Sequence, residues 1–256
     1  MPDYVSARPA VSAINGKVAV FGGDLSDGHE FGVSGALTLP LEQRLGMQLD
    51  GMIGSADDER FYGIGAHLFW RDPARALFGI YASHVSWNGS STFPASSPVG
   101  GIFNISGAEI SKLGVEAELY IDRISLEGLA AYQSGSDTGF AGKGTLAYYP
   151  LDDLRFDMSV TQLAGNGLTG SLGAEWMLPG ESGYSLFANT SVDEDSDWRT
   201  VGGVTIHFGA GQKSLIRRDR EDDPDVDLPD DLYLTTGKSH CPAGTHELSG
   251  ICDGVI

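Results

Sequence analysis

Polar and apolar residues alternate along most of the chain between residues 11 and 209. In the stretch WRTVGGVTIHFG, one set of alternate positions is mostly apolar and runs from Trp198 to Phe208, while the other set contains Arg199 and His207. A period of two is typical of a β-strand with two different faces. Turn residues separate about twelve such segments, with few helical periods between them. The predicted strands are residues 13–23, 29–39, 43–54, 60–71, 75–87, 108–121, 123–134, 139–149, 153–164, 168–178, 184–192 and 198–209.

The connections between these strands fall into two alternating series. After even-numbered strands they are short, as in PLEQ and DPA, and after odd-numbered strands they are longer or more acidic, as in DLSDGH and DEDSD. Short turns at one end and longer loops at the other are typical of an up-and-down barrel. The sequence therefore predicts an all-β fold, an antiparallel transmembrane β-barrel of about 12 strands.

Aromatic residues lie at the ends of the apolar rows. Such rows also suit a soluble β-sandwich, in which the apolar face meets a core and the charged face meets water. Here the rows are rich in glycine and alanine, and aromatic rings at strand ends settle at the two interfaces of a bilayer. This arrangement favours the membrane barrel. Four of the rings are predicted at one rim and two at the other: Trp70, Tyr148, Trp176 and Phe208, and then Tyr132 and Trp198.

Composition narrows the classes of protein further. Glycine accounts for 36 of 256 residues, which fits a β structure with many turns and close backbone approaches. A formal charge of −19 argues against nucleic acid as a partner. No run approaches the 18 or so apolar residues of a membrane helix. The opening MPDYVSARPA has no signal-peptide pattern, so we expect a cytosolic protein or a mature chain whose leader has been removed.

Residues 11–209 resemble a Gram-negative outer-membrane β-barrel of the porin-like kind, and VGGVTIHFG is similar to the last strand that such proteins present to the assembly machinery. The sequence departs from that pattern because Phe208 is followed by a tail. The resemblance implies an outer-membrane location, contact with lipid and lipopolysaccharide, and chain ends in the periplasm. The predicted division is an N-terminal periplasmic segment (1–10), the barrel (11–209) and an acidic linker with a periplasmic tail (210–256).

The charged rows would then face the lumen. We expect either a narrow aqueous pore, whose acidic and basic rows set solute preference, or a charge-paired interior that conducts little. The first alternative is a porin-like channel for small hydrophilic solutes or ions. The second is a structural barrel whose surface loops or tail bind a partner, such as the cell wall. The predicted pore-lining residues are Lys17, Asp50, His67, Lys112, Glu116, Glu118, Glu127, Lys143, Arg155, Asp157, Glu175, Arg199 and His207.

Two external loops attract attention as functional elements. The third, residues 88–107, either folds into the lumen or stays a mobile surface loop. Acidic loops contain Asp57 and Asp58, and later Asp193, Asp195 and Asp197. Clustered carboxylates suit Ca²⁺ or Mg²⁺ and could bridge lipopolysaccharide phosphates, although such clusters are more often only solvated. We therefore predict no metal site, with the last three aspartates as weak candidates, and no cofactor.

Motifs for catalysis are missing from the sequence: there is no G-x-S-x-G, H-E-x-x-H, P-loop or C-x-x-C. Because His67 and His84 lie among serines, a membrane-embedded hydrolase is a minor alternative to a protein without enzymatic activity.

The tail has a different composition. Residues 212–233 carry charge of both signs with prolines and no apolar period, which predicts an extended linker. Cys241 and Cys252 enclose a short turn-rich segment. A disulfide between them would form in an oxidising compartment such as the periplasm. Metal binding by these cysteines with His240 and His246 is the alternative, although the spacing is not that of a zinc finger.

Overall fold

The computed structural model describes residues 8–26, 28–56, 59–88, 109–165, 167–180, 183–209, 211, 213–224, 228, 245–248 and 251–254. Twelve strands form one closed sheet. Their bounds are Asn15–Leu25 (β1), Gly28–Glu42 (β2), Leu45–Ala56 (β3), Glu59–Asp72 (β4), Ala76–Asn88 (β5), Glu109–Ile121 (β6), Ile124–Gly135 (β7), Gly139–Leu151 (β8), Leu154–Gln162 (β9), Leu168–Met177 (β10), Tyr184–Asp193 (β11) and Trp198–Gly209 (β12).

Each strand pairs antiparallel with its neighbours in sequence, and the barrel closes between its first and last strands. β1 and β12 pair from Asn15 opposite Gly209 to Leu25 opposite Arg199. Closure leaves no sheet edge with unpaired backbone groups, which is a requirement for strands in lipid. The prediction of a 12-stranded up-and-down antiparallel barrel is confirmed.

Two strands continue past a proline that resembles a turn signal in the sequence. β2 extends to Glu42 with an irregular register between Pro40 and Glu42, whereas the predicted strand ended at residue 39. β8 likewise extends to Leu151 past Pro150, with a register shift after Tyr148. A bulge accommodates a residue without an N–H at the end of a strand, so the proline does not end the pairing.

The outer face is apolar around the barrel. We call the end that carries the turns after β2, β4, β6, β8 and β10 the short-turn end, and the opposite end the long-loop end. The six aromatic residues assigned to the rims are 41–52 % exposed, and they lie on the outer face at the expected ends. Large apolar side chains fill the outward positions between them, including Ile64, Ile80 and Val115. This gives an apolar band between two aromatic girdles, as outer-membrane barrels have.

The chain after β12 differs from the extended linker expected for it. Leu215–Glu221 forms a short helix, α1. Thr245–Leu248 (β13) and Ile251–Gly254 (β14) pair as an antiparallel hairpin. The linker interpretation is therefore wrong for the part of residues 212–233 that contains α1, because its burial depends on barrel residues that a local pattern does not reveal. In the described part of the chain, no helix is both long and apolar enough to cross a membrane.

Candidate functional site

The lumen holds the charged side chains that the sequence assigns to the inner face. All of the predicted pore-lining residues lie on inward positions of the strands, and Asp50, His67, Lys112, Arg155 and Arg199 are at most 6 % exposed. Their role as the lining of a conducting pore stays a prediction. Most of them form ion pairs or hydrogen bonds within the lumen.

His67 on β4 joins two carboxylates from different parts of the wall. Its Nε2 lies 2.8 Å from Asp50 Oδ2 on β3, and its Nδ1 lies 2.7 Å from Glu116 Oε2 on β6. The His67 side chain has no exposed surface. Its ring also packs against Tyr81, with 4.7 Å between the ring centroids. The imidazole thus ties three strands together across β5.

A second pair lies nearer the long-loop end. The guanidinium of Arg199 on β12 binds both carboxylate oxygens of Glu30 on β2, and the two side chains are 5 % and 1 % exposed. Between these strands lies β1, where Gly23 is the residue opposite Glu30. A Cβ at Gly23 would lie only 2.0 Å from the carbonyl oxygen of Thr200. The bidentate pair therefore lies over a wall position that only glycine can occupy without a backbone shift.

Other predicted residues form smaller groups. Arg155 lies 3.3 Å from Glu127, 3.5 Å from Asp157 and 3.7 Å from Asp219, which belongs to α1. His207 Nε2 lies 3.5 Å from Glu175 Oε1, and the hydroxyl of Ser185 contacts both side chains.

Two further acceptors complete the set. Tyr120 donates its hydroxyl to Glu118 over 2.6 Å. Lys17 donates to the carbonyl of Pro224 over 3.3 Å. Lys112 is buried, and Lys143 faces a small cavity beside Glu116, Glu118 and Glu127. Acidic and basic side chains are therefore interleaved rather than separated into two rows.

The chain after β12 returns into the barrel at the short-turn end. On α1, Leu215 packs with Ala147, Tyr149 and Met177 of the inner wall. Arg220 donates to the carbonyl oxygens of Asp122 and Ile124 over 2.7 and 2.9 Å. Asp122 has a φ of 50°, as the first residue of a two-residue hairpin turn requires. The helix is thus held against the wall and the β6–β7 turn.

Residues before β1 occupy the same mouth. Ala10 and Val11 are buried, and Val11 packs with Phe69 and Leu77. Arg71, which has no exposed surface, donates to the carbonyl oxygens of Ala10 and Asp222 over 3.3 and 3.2 Å. One buried guanidinium therefore joins both chain ends at the short-turn end.

Beyond α1 the chain makes contacts deeper in the lumen. Thr38 donates its hydroxyl to Asp223 Oδ1 over 2.9 Å, and Gln48 donates to the carbonyl of Pro224 over 3.2 Å. Leu228 is completely buried. We call residues 213–224 together with Leu228 the lumen segment. Leu228 belongs to an apolar cluster whose barrel members are Phe21, Leu25, Met52, Ala56, Phe61, Val85 and Trp87.

Two carboxylates of the lumen segment titrate in opposite directions. Burial acts to raise the pKa of Glu221, but the hydrogen bond from Arg217 and the charge of Lys213 outweigh it, so the pKa lies below its ordinary value. Burial raises the pKa of Asp223, and the charge of Asp222 acts in the same direction. Acid therefore removes the stabilisation from Glu221 as the pH falls through its lowered pKa. The same acid relieves Asp223, whose contribution is lost only as the pH rises through its raised pKa.

Some space remains beside the lumen segment. A cavity of about 190 Å³ lies against the wall formed by β1, β2, β10, β11 and β12, and Lys17, Glu175 and Arg199 contribute to its lining. A second one, of about 30 Å³, lies among Glu116, Glu118, Lys143 and Pro224. These spaces have polar and charged walls, but in the described structure the lumen segment lies between them.

The weak metal candidates are engaged with their own loop. Asp193 Oδ1 accepts hydrogen bonds from the backbone N–H groups of Asp195 and Asp197, over 3.0 and 2.9 Å. Among the described residues, no group of three or more potential ligands is arranged to hold a metal ion. Asp57, Asp58 and residues 89–107 of the third external loop lie outside the described residues.

A histidine and a serine meet on the outer face. His84 Nδ1 lies 2.9 Å from Ser111 Oγ, and the ring of Tyr62 packs against the imidazole at 6.3 Å. A hydrolytic triad needs a third group that orients the histidine. In the described part of the chain, no carboxylate contacts His84. The pair is therefore a hydrogen bond without the rest of a triad.

The predicted disulfide between Cys241 and Cys252 concerns side chains outside the described part of the structure, although the backbone of Cys252 lies in β14, opposite Glu247. We expect protein isolated from an oxidising compartment to resist thiol alkylation until it is reduced. The Cys241→Ser/Cys252→Ser variant should unfold like the unaltered protein, because the crosslink would lie outside the barrel. Ready alkylation of freshly isolated, unreduced protein would contradict the pairing.

Several site residues escaped the sequence analysis. Arg71 and the inward aromatic residues Phe61 and Trp87 have the same parity as other inward positions, so strand alternation was a signal for them. Asp222 and Asp223 had no such signal, because their partners lie on β1–β4 and before β1.

No protein-family model matches the sequence, and no curated protein matches it. Solved structures are similar to it in fold. KdgM porin is 12 % identical, with 75 % of this chain and 99 % of that chain covered and a TM-score of 0.55. Outer membrane phospholipase A from Escherichia coli is also 12 % identical, with 76 % and 92 % covered and a TM-score of 0.50.

The Salmonella typhi outer membrane phospholipase dimer with bound calcium is likewise 12 % identical, with 80 % of this chain and 94 % of that chain covered and a TM-score of 0.50. At these identities the likeness shows the fold, that of an outer-membrane β-barrel. Because a porin and a phospholipase both have this fold, the fold alone does not decide between a channel and an enzyme.

Proposed function

We propose that this protein is a porin-like outer-membrane channel that its own lumen segment holds closed. Small hydrophilic solutes or ions pass when that segment is displaced. The short turns face the periplasm and the longer loops face the outside, as in barrels of this kind. The apolar band meets lipid and the loops meet lipopolysaccharide. The last strand, which ends at Phe208 and Gly209, is the part that the assembly machinery receives.

The observation that carries this proposal is the chemistry of the inner wall. Charged side chains of both signs come from strands around the barrel, from Lys17 on β1 to His207 on β12. A wall of this kind solvates small ions and polar solutes, and mixed charge gives only weak preference between anions and cations. A barrel with a purely structural role has no need of such a wall.

The contacts of the lumen segment suit a reversible closure. Between Lys213 and Pro224 most of them are hydrogen bonds and ion pairs, such as those of Arg220, Asp222 and Asp223. A typical hydrogen bond contributes about 0.5–1.5 kcal/mol net, because water replaces it when it breaks. Only the two ends of the segment, at Leu215 and Leu228, are anchored in apolar clusters.

Conductance of the full chain in planar bilayers tests this proposal. We expect the unaltered protein to be closed most of the time, with brief openings. Leu228→Asp places a charge in the apolar cluster, and Arg220→Ala removes the contacts with the β6–β7 turn. Both changes should therefore increase the open fraction by loosening the lumen segment.

Arg75→Ala is the matched control, because Arg75 is an exposed arginine on the β4–β5 turn at the same end of the barrel. It removes one positive charge and should leave the open fraction unchanged. A protein that passes no current, alone or with the loosening substitutions, would contradict the channel.

That outcome would favour the second candidate function, a non-conducting structural barrel. The buried pairs of His67 and Arg199 support this candidate, because side chains that are at most 5 % exposed line little water-filled space. In such a barrel the surface loops or the tail would bind a partner.

A further inference from the structure

The lumen segment has a direction, which can be read from the register of the strands around it. β12 ends at Gly209, opposite Asn15, and α1 lies against the short turns. Asp223 contacts Thr38, which is opposite both Asn15 and Gln48. The contacts of α1 and Asp223 therefore lie at the short-turn end.

Later residues lie progressively further from that end. Pro224 contacts Gln48 and Lys17, and Leu228 packs in the cluster of Met52, Phe61 and Trp87. Met52 is four residues beyond Gln48 on β3, a distance of about 13 Å at roughly 3.3 Å per residue along the strand. Ala56, a member of the same cluster, is the last residue of β3 at the long-loop end.

A return of the chain through the same lumen meets a steric limit. The sequence continues for 28 residues after Leu228, from 229 to 256. The cavity beside the lumen segment has a volume of about 190 Å³, room for about six water molecules at ~30 Å³ each. It does not reach through the short-turn end, where α1 and residues 8–14 occupy the mouth.

From this direction we infer that the chain leaves the barrel at the long-loop end after Leu228. The hairpin of β13 and β14 is then displayed on the outer surface of the cell, held by a segment threaded through the lumen. The assignment of this end to the cell exterior rests on the orientation given under the proposed function. It replaces the expectation of a periplasmic tail.

This route gives the barrel a second role besides passage of solutes. It presents residues 229–256 outside the cell as a small module available to extracellular partners, beside the longer loops. The anchor is strong because Leu228 is completely buried and Asp222 and Asp223 are at most 2 % exposed. Displacement of the lumen segment would then couple the position of the module to the state of the channel.

Site-specific labelling on intact Gram-negative cells tests the route. In the Cys241→Ser/Cys252→Ser background, one cysteine is introduced at a time and treated with a membrane-impermeant maleimide. Ile256→Cys reports on the tail. Thr138→Cys, an exposed position after β7, reports on the long-loop end, and Ala74→Cys, an exposed position after β4, reports on the short-turn end.

We expect Ile256→Cys and Thr138→Cys to react equally on intact and permeabilised cells, and Ala74→Cys to react only after permeabilisation. If Ile256→Cys follows Ala74→Cys instead, the route through the barrel is wrong. If Ala74→Cys reacts on intact cells and Thr138→Cys does not, the proposed orientation fails, while a tail that follows Thr138→Cys still supports the route. An epitope appended after Ile256 in the chain with both cysteines, probed with antibody on intact cells, repeats the test without the serine substitutions.

Discussion

Arg199→Ala is expected to lower the free energy of unfolding by about 3–5 kcal/mol, the cost of removing one partner from a buried ion pair. The Glu30 carboxylate is 1 % exposed and both of its oxygens bind the Arg199 guanidinium. Without arginine this charge stays in the lumen with neither water nor a counter-charge. Urea titration of the protein folded in lipid vesicles, followed by tryptophan fluorescence and heat-modifiable migration, measures the loss.

The double variant Glu30→Gln/Arg199→Met should recover most of the stability, because replacing a whole buried pair by neutral groups of similar size is often neutral. Arg123→Ala is the control on the barrel surface. Arg123 pairs with Asp152 over 2.7 Å, but the two side chains are 42 % and 61 % exposed. Such a pair contributes about 0–1 kcal/mol. Equal losses for Arg123→Ala and Arg199→Ala would show that the lumen around Glu30 is wet.

His67→Phe is the second change with a large expected effect. Phenylalanine keeps the ring that packs against Tyr81 but removes both nitrogens that contact Asp50 and Glu116. Two buried carboxylates then lose a shared partner, so we expect a loss of about 3–5 kcal/mol, as for other broken buried pairs. The same unfolding titration measures it.

Neutralising the carboxylates separates this cause from a defect in packing. Asp50→Asn/Glu116→Gln in the His67→Phe background should restore a large part of the stability if charge is responsible. His29→Phe is the matched surface control, because His29 contacts Asp24 over 2.5 Å with side chains that are 86 % and 62 % exposed. This change should stay within about 0.5 kcal/mol of the unaltered protein. Failure of the neutral pair to restore stability would contradict the electrostatic explanation.

The inner face shows where a period-two pattern stops being informative. Alternation placed His67 and Arg199 inside correctly, but it does not show that His67 meets Glu116 two strands away, or that Arg199 meets Glu30 across β1. Those meetings depend on strand register and on how far each side chain reaches, which are properties of the closed sheet. The prediction of a mixed-charge interior therefore left open whether the charges were separated or paired.

Prolines and aromatic residues gave two further differences of this kind. Pro40 reads locally as a turn, yet the pairing with β3 carries the strand on to Glu42 through a bulge. Phe61 and Trp87 share the inward parity of charged residues, and they were not predicted as an apolar cluster because the cluster is completed by Leu228, far away in the sequence.

The sequence by itself determined the barrel, its 12 strands, its apolar outer face and its aromatic rims. These features follow from local alternation and turn residues, because every strand pairs with its neighbour in the chain and a closed sheet is the β structure that satisfies its backbone in lipid. Only the tertiary structure decided what fills the lumen. The hydrogen bond from Thr38 to Asp223 joins residues 185 positions apart, and that from Arg71 to Asp222 joins residues 151 apart. Burial of a polar, acidic segment depends on such distant partners being in place, and no local period records them.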